Sequence, residues 1–298
     1  MTAATDQGRQ PFSTEEIRHV GVVAAGQMGL GIAQVLAISG LEVTLVDQNP
    51  GALERALTGI ERSLAKMAEK GKLQGSPANI RARIQTASAL AQIAASELVI
   101  EAVTENESLK TEIFRALDDL LPARAIIASN TSSLPITRLA SATKRPGLVI
   151  GMHWMNPVPL MKLVEIIRGH ATLEATYETT RRVAEACDKV AVDSQDYPGF
   201  IVNRVLMPMI NEAFFALMEG VASAADIDCG MKLGTNQPMG PLALADFIGL
   251  DTCLSILRVM HEGLGDSKYR PCPLLRKYVE AGHLGKKTGQ GVFTYHEG

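Results

Sequence analysis

Short apolar, β-branched segments alternate with helical patterns from residue 18 to about residue 195, and this alternation constrains the fold more than any other feature of the sequence. Strands that alternate with helices of this length form βαβ units, in which a parallel sheet is covered by helices. We therefore predict an α/β fold with a doubly wound, mostly parallel sheet. The predicted strands are residues 18–25, 41–47, 83–86, 97–103, 125–129, 148–153, 163–167 and 189–193. The predicted helices between them end at Gly40 or cover residues 49–71, 106–121 and 173–187.

The pattern changes near Tyr197-Pro198-Gly199, where strand-like segments give way to long helical stretches, one of which covers residues 242–263. A chain of 298 residues has room for roughly two domains at about 150 residues each. We therefore predict an α/β domain over residues 17–197 and an all-α C-terminal domain over residues 198–298, with one late strand in GVFTY (291–295). Residues 1–16 are polar, and we expect a mobile tail.

Composition excludes several classes of protein. The net charge of −3 argues against a nucleic-acid-binding protein, which needs a cationic excess to neutralise phosphates. The four cysteines show neither a CxxC pair nor metal-ligand spacing, so we expect reduced thiols and no metal. No apolar run reaches the roughly 18 residues that a membrane span needs. The N-terminus also has no secretory pattern, so we expect a cytoplasmic enzyme that does not bind a membrane.

A glycine-containing turn between the first predicted strand and helix indicates a dinucleotide site. Such a turn lets the backbone approach a pyrophosphate, and the helix N-terminus offers it free N–H groups. Asp47 ends the second strand, where it can accept from ribose hydroxyls, and Gln48 follows where an arginine would hold a 2′-phosphate; we therefore predict NAD. Ala24 replaces the usual first glycine, so a turn without a ligand, with Asp47 as a surface aspartate, remains an alternative. The predicted turn residues are Ala24, Ala25, Gly26, Gln27, Met28 and Gly29.

Five ordered sequence blocks resemble the 3-hydroxyacyl-CoA dehydrogenases, most closely the short-chain bacterial members that act on 3-hydroxybutyryl-CoA. The resemblance extends from about residue 18 to residue 295. It implies a Rossmann-like NAD domain followed by a helical domain, and reversible oxidation of L-3-hydroxyacyl-CoA to 3-ketoacyl-CoA. It also implies a homodimer formed through the helical domain. The blocks are ASNTSSLPIT (128–137), GMHWMNPVPLMKLVEIIRG (151–169), YPGFIVNRVLMPMINEA (197–213), MKLGTNQPMGPLALADFIGLD (231–251) and LGKKTGQGVF (284–293).

The resemblance assigns His153 as the catalytic histidine, Glu165 as its acidic partner, and Ser132 and Asn203 as polar residues that contact the substrate. These residue types suit alcohol oxidation, because a neutral imidazole removes the hydroxyl proton and a carboxylate fixes its tautomer. The alternatives are a buried histidine with a structural role, a capping serine and an exposed helix asparagine. Glu165 stands in the apolar run LVEII, where a carboxylate needs a partner.

The family pattern also implies cofactor contacts from Glu105, Lys110, Ser132, Asn156 and Lys287. For the CoA arm it implies Ser63, Lys70 and Ser132; the first two are seven residues apart and so share one helix face. The alternative for the lysines is solvated surface.

Trp154 directly follows His153, and we consider the hypothesis that its bulk shortens the acyl pocket.

Two other functions stay open. The first is an NAD-dependent dehydrogenase of a free hydroxy acid, such as a sugar acid or carnitine, which would not need a lysine that faces CoA. The second is a non-catalytic NAD-binding protein on the same scaffold. This alternative predicts that at least one catalytic position is lost, yet all four are filled.

Overall fold

The computed structural model describes residues 10–295, and the chain divides between Asp196 and Tyr197 into two compact units. The strands of the first unit are β1 (His19–Val23), β2 (Glu42–Val46), β3 (Ile84–Ala87), β4 (Leu98–Glu101), β5 (Ile126–Ser129), β6 (Val149–Trp154), β7 (Leu163–Arg168) and β8 (Val190–Gln195). Its helices are α1 (Gln27–Ile38), α2 (Pro50–Glu69), α3 (Pro77–Ala82), α4 (Glu107–Leu120), α5 (Ile136–Ala140) and α6 (Glu174–Ala186).

The eight strands form one sheet in the order β3-β2-β1-β4-β5-β6-β7-β8. Every neighbouring pair is parallel except β6 and β7, which run antiparallel with His153 opposite Glu165. The predicted doubly wound, mostly parallel sheet is therefore confirmed. The strand order reverses between β1 and β4, the place where open α/β sheets bind ligands at the carboxyl ends of their strands.

Burial explains why the strands read as continuous apolar runs. All residues of β4, β5 and β6 are buried, as is usual for parallel strands covered by helices on both faces. Helix α2 instead buries one stripe, which includes Leu53, Ile60 and Leu64. It begins where the sequence predicts, because the side chain of Asn49 accepts the N–H of Ala52 and Pro50 occupies the first turn.

The second unit is helical and has its own hydrophobic core. Met207, Phe214 and Leu257 are fully buried in that core. One predicted helical stretch, residues 242–263, is two helices in the structure, because Gly249 has φ of 103° and interrupts the helical backbone. The helices are α7 (Val202–Met218), α8 (Ala224–Gly234), α9 (Pro241–Ile248), α10 (Leu250–Leu264) and α11 (Pro273–Glu280).

The predicted strand in GVFTY is wrong. Residues 291–295 form a loop with one isolated bridge, which joins Thr294 to Gln290. The buried carboxylate of Asp246 accepts the backbone N–H groups of Val292 and Phe293 at 2.9 Å each. A side chain thus takes the donors that a neighbouring strand would have used.

The predicted tail needs a correction over residues 10–16; residues 1–9 lie outside the described chain. Arg124 stacks over the ring of Phe12 at 4.5 Å and forms an ion pair with Glu16 at 3.0 Å. Its guanidinium group also donates to the carbonyl of Pro11. Residues 10–16 are therefore attached to the α/β unit by an arginine that is distant in sequence, a contact that local polarity cannot reveal.

Within residues 10–295, no helix is both long and apolar enough to cross a membrane. The same residues contain no cluster of three or more histidine, cysteine or acidic side chains that could hold a metal ion. All four cysteines are free thiols. Burial raises the pKa of Cys187 to about 11 and that of Cys253 to about 12, so these two thiols are protonated and unreactive near neutral pH.

Candidate active site

The turn after β1 makes a close approach of backbone to backbone. Ala24 has φ of 85°, a conformation that favours glycine, and its carbonyl oxygen would lie 1.8 Å from a Cβ atom added to Gly29. Gly29 is therefore required for this turn, whereas Ala24 adopts the conformation at a cost in strain. Gly26 is the N-cap residue of α1, no side chain caps that helix end, and a Cβ atom on Gly26 would meet open space.

These features fit an NAD pyrophosphate. An uncapped helix N-terminus presents backbone N–H groups and positive dipole to an anion, and the open space at Gly26 leaves room for it. Asp47 supports the turn, since its carboxylate accepts from the backbone of Ala25 at 2.8 Å and of Asn49 at 2.9 Å. The predicted aspartate thus lies beside the predicted turn.

His153 and Glu165 form a buried pair on adjacent strands. The antiparallel register of β6 and β7 places the two residues opposite each other, with 2.6 Å between His153 Nδ1 and Glu165 Oε2. Glu165 is fully buried and His153 is 8% exposed. A carboxylate bound at Nδ1 selects the tautomer with its proton on Nδ1, so the ring lone pair is on Nε2 and Nε2 is the nitrogen that can accept a proton.

Trp154 lies on the opposite face of β6 from His153, since successive strand residues alternate. Its side chain is 1% exposed and belongs to the hydrophobic core of the α/β unit, together with Val158 and Val164. This placement argues against the hypothesis that Trp154 shortens the acyl pocket, which chain-length specificity would test.

Ser132 belongs to a hydrogen-bonded network around Glu105. The Glu105 carboxylate accepts from the backbone and hydroxyl of Ser132, at 2.5 and 2.9 Å, and from the hydroxyl of Thr131. Lys110 places its ammonium group 3.5 Å from the same carboxylate. Three predicted cofactor residues are thus brought together after β4 and β5.

Lys110 is 1% exposed, so it is not the solvated surface lysine of the alternative interpretation. Its ammonium group forms a 2.7 Å ion pair with Glu101, which is fully buried at the end of β4 and also accepts from Ser129 at 2.7 Å. Sequence reasoning missed Glu101. The signal was present, because Glu101 is a carboxylate in an apolar run, as is Glu165 in LVEII.

Asn156 lies in the loop of residues 155–162 that connects β6 to β7. Gln27, the first residue of α1, donates from its side-chain amide to Asn156 Oδ1 at 3.1 Å. The backbone N–H of Trp154 donates to Asn130 Oδ1 at 2.9 Å, which ties β6 to the loop that carries Ser132. The predicted cofactor residues Gln27 and Asn156 are therefore in direct contact.

Ser63 and Lys70 lie on α2 and at its C-terminal cap, as the spacing predicts. The hydroxyl of Ser63 accepts from the side chain of Gln34 at 2.9 Å, and Lys70 is exposed. Arg62 and Lys66 are also exposed, and the spacing of four residues from Arg62 to Lys66 to Lys70 puts all three cations on one face. Sequence reasoning named only Lys70 from this set, although the spacing was visible.

The helical unit holds the remaining predicted residues. Asn203 is 8% exposed in the first turn of α7. Lys287 donates to both carboxylate oxygens of Asp251, at 2.6 and 2.7 Å. Burial alone would raise the pKa of Asp251, but the hydrogen bond from Lys287 and those from the backbone outweigh it and lower that pKa.

Comparison with known proteins agrees with this geometry. The family model described as "3-hydroxyacyl-CoA dehydrogenase, NAD binding domain" matches residues 19–197, and that described as "3-hydroxyacyl-CoA dehydrogenase, C-terminal domain" matches residues 199–295. The chain is 56% identical to a probable 3-hydroxybutyryl-CoA dehydrogenase of Bacillus subtilis, over 95% of this chain and 99% of that protein. It is 53% identical to a 3-hydroxybutyryl-CoA dehydrogenase of Bradyrhizobium diazoefficiens, over 94% and 96% of the two chains.

The fold of a solved structure is similar as well. The crystal structure of (S)-3-hydroxybutyryl-CoA dehydrogenase from Ralstonia eutropha superimposes with a TM-score of 0.92 at 47% identity, covering 94% of this chain and 100% of that one. The α/β unit matches an NAD-binding family model along almost its whole length, which confirms the prediction of NAD as cofactor. The chain therefore belongs to the 3-hydroxyacyl-CoA dehydrogenase family.

Proposed function

We propose that this enzyme reversibly oxidises short-chain L-3-hydroxyacyl-CoA, with 3-hydroxybutyryl-CoA as the preferred substrate, to 3-ketoacyl-CoA. The observation that carries the proposal is the buried His153–Glu165 pair, with 2.6 Å between Nδ1 and Oε2, in a member of this dehydrogenase family. The names of the relatives from Bacillus subtilis and Bradyrhizobium diazoefficiens support the four-carbon substrate.

In the proposed mechanism His153 moves the proton. Its Nε2 accepts the proton of the C3 hydroxyl while the C3–H bond breaks and C–O becomes C=O; in reduction the imidazolium returns that proton to the oxygen. Glu165 stabilises the imidazolium through Nδ1. NAD, when bound, supplies the chemistry of hydride acceptance.

Ser132 and Asn203 are proposed to position the reacting oxygen through hydrogen bonds. Glu105, Lys110, Asn156 and Lys287, with the turn of residues 24–29 and Asp47, are the proposed cofactor contacts. The hydroxyl of Ser132 donates to Glu105 in the structure described here. A hydroxyl oxygen carries two lone pairs, so a serine can accept from a substrate hydroxyl while its own O–H donates.

We propose that the CoA phosphates bind along the cationic face of α2, with Lys70 as the principal contact and Ser63 beside it. Replacing an exposed lysine removes about 1 kcal/mol of phosphate attraction. Lys70→Ala should therefore raise the KM for acetoacetyl-CoA about fivefold while leaving kcat unchanged. Lys72→Ala, two residues beyond the helix cap, is the matched control and should leave KM near the wild-type value. Equal KM values for both variants would remove Lys70 from this role.

Membership of the family supports two further proposals, one for the cellular compartment and one for the oligomeric state. We propose a cytoplasmic homodimer that assembles through the helical unit, supported by exposed apolar side chains there: Val205, Val221 and Leu233 are each at least 70% exposed. Light scattering should give twice the 31.9 kDa mass of one chain. A monomeric mass at micromolar concentration would contradict the dimer.

The test of the substrate class compares acetoacetyl-CoA with free acetoacetate, each with NADH, by the loss of NADH absorbance. We expect rapid turnover of the CoA ester and little of the free acid. The reverse preference would favour the free hydroxy acid dehydrogenase, and no turnover of either would favour a non-catalytic NAD-binding protein. Comparing 3-hydroxybutyryl-CoA with 3-hydroxydecanoyl-CoA then tests the preference for a short chain, which a higher kcat/KM on the longer ester would contradict.

A further inference from the structure

Lys189 is a buried lysine that the proposed mechanism does not use. It immediately precedes β8 and is 8% exposed. Burial lowers the pKa of Lys189, the direction expected for an ammonium group removed from water. Lysine is among the residues least often buried without a partner, so its contacts define what it does here.

The partners of Lys189 are two backbone carbonyl groups in the loop of residues 155–162. Its ammonium group donates to the carbonyl oxygen of Val158 at 2.6 Å and to that of Met161 at 2.8 Å. This loop joins β6 to β7, the two strands that carry His153 and Glu165. Lys189 thus binds the loop that connects the strand of His153 to the strand of Glu165.

The same loop also lies against α1. Val158 is so close to Gly31 that a Cβ atom on Gly31 would lie 2.9 Å from the Val158 Cβ. Asn156 accepts from Gln27 at the start of that helix, next to the nucleotide turn. The loop therefore contacts both α1 and the ammonium group of Lys189.

We propose that Lys189 is a positioning residue for the cofactor: by binding the carbonyl groups of Val158 and Met161, it holds Asn156 at the nucleotide turn. This inference rests on the proposed role of Asn156 in binding NAD. Lys189 acts only through the loop. Without its ammonium group, the buried carbonyl of Val158 and the part-buried carbonyl of Met161 lose this donor, and the loop regains the freedom to move Asn156 away from Gln27.

The test is the dissociation constant of NADH, measured by fluorescence with Lys189→Met, which keeps the length of the side chain but not its donors. We expect NADH binding to weaken at least tenfold, while kcat at saturating NADH stays within about threefold of wild type. Lys162→Met is the matched control: Lys162 is an exposed lysine on the same loop that forms an ion pair with Asp188. Its NADH affinity should stay within twofold of wild type.

A double-mutant cycle with Asn156→Ala separates positioning from a general loss of stability. If Lys189 acts through Asn156, Lys189→Met should weaken NADH binding little further in the Asn156→Ala background. Lys189→Gln keeps one donating amide and should bind NADH with intermediate affinity; it replaces the methionine variant should that variant not fold. Wild-type NADH affinity in the folded variant, with or without a lower melting temperature, would overturn the proposal.

The binding measurement needs no substrate. A wild-type enzyme that binds NADH but does not turn over acetoacetyl-CoA would contradict the proposed function and leave the role of Lys189 standing. Conversely, an active wild-type enzyme with unchanged NADH affinity in Lys189→Met would contradict only the role of Lys189.

Discussion

At the scale of single residues, two carboxylates stand in apolar strands, and each is paired with a basic side chain. Glu101 and Glu165 are both fully buried, and each has a specific partner: Lys110 for the first and His153 for the second. Burying a carboxylate is costly unless it is paired and hydrogen-bonded. The sequence alone therefore predicted that Glu165 has a partner, and the same argument applied to Glu101 would have predicted its partner too.

His153→Ala tests the proposed proton transfer. Removing a general base costs about 10²–10⁴-fold in rate, so we expect kcat to fall at least a hundredfold while NADH affinity is nearly unchanged. His170→Ala, which alters an exposed histidine beyond β7, is the control and should keep the wild-type rate. More than a tenth of the wild-type rate in His153→Ala would remove this residue from the role of base.

Ala24→Gly tests the strain in the nucleotide turn. Ala24 has φ of 85°, a conformation that costs a residue with a Cβ atom about 1 kcal/mol. Glycine removes this strain, but part of the resulting gain in stability is offset because glycine has more conformational freedom in the unfolded chain. We expect a free energy of unfolding equal to or up to about 1 kcal/mol above wild type, and equal or tighter NAD binding. Ala25→Gly, at a position without positive φ, should destabilise instead. A marked loss of NAD affinity in Ala24→Gly would show that alanine is an adaptation.

At the scale of elements, periodicity predicted the strands and long helices better than it predicted their ends and breaks. The predicted helix at residues 49–71 is α2 at Pro50–Glu69, since its cap and buried stripe are local signals. The break at Gly249 and the loop at residues 291–295 were missed. The conformation of this loop depends on Asp246, more than forty residues earlier in the chain, because its carboxylate accepts hydrogen bonds from backbone N–H groups of the loop.

The same loop gives a pH-dependent prediction. The Tyr295 hydroxyl donates to Asp246 at 3.1 Å, and burial together with the negative charge of Asp246 raises the pKa of Tyr295 to about 12. Tyrosine in an unfolded chain titrates near pH 10. Its ionisation therefore favours unfolding, and the stabilisation present below pH 10 is lost as the pH rises towards 12.

Urea unfolding of Tyr295→Phe measures this contribution. Since phenylalanine does not ionise, the variant should lose less stability than wild type between pH 10 and pH 12, while both lose stability from other groups such as Cys253. The pH dependence of the stability of Tyr278→Phe can be compared with it, because burial also raises the pKa of Tyr278. Parallel pH profiles for wild type and Tyr295→Phe would contradict the assignment.

At the scale of the whole molecule, the alternation of strands and helices was sufficient to predict the doubly wound sheet, and the ordered motifs were sufficient to predict the family. The strands β6 and β7 were not identified from the sequence as the antiparallel pair. The one sequence feature that indicates this pairing is the short connection of residues 155–162, which is too short for a parallel crossover. Contacts between distant residues, such as Lys189 with Met161 and Arg124 with Phe12, leave no periodic signal.

Net charge shows a similar limit. A value of −3 argues against nucleic acid as a partner but says nothing of the phosphates on NAD and CoA. Their proposed sites depend on the placement of a few groups: the uncapped start of α1 and the cations Arg62, Lys66 and Lys70 along α2.

The proposed reaction is tested most directly by NADH formation by the wild-type enzyme from NAD and the two enantiomers of 3-hydroxybutyryl-CoA, measured separately. We expect rapid NADH formation with the L, or (S), enantiomer and little with the (R) enantiomer, and a much slower reaction when NADP replaces NAD. No NADH from the (S) thioester, or an equal rate on free (S)-3-hydroxybutyrate, would contradict it.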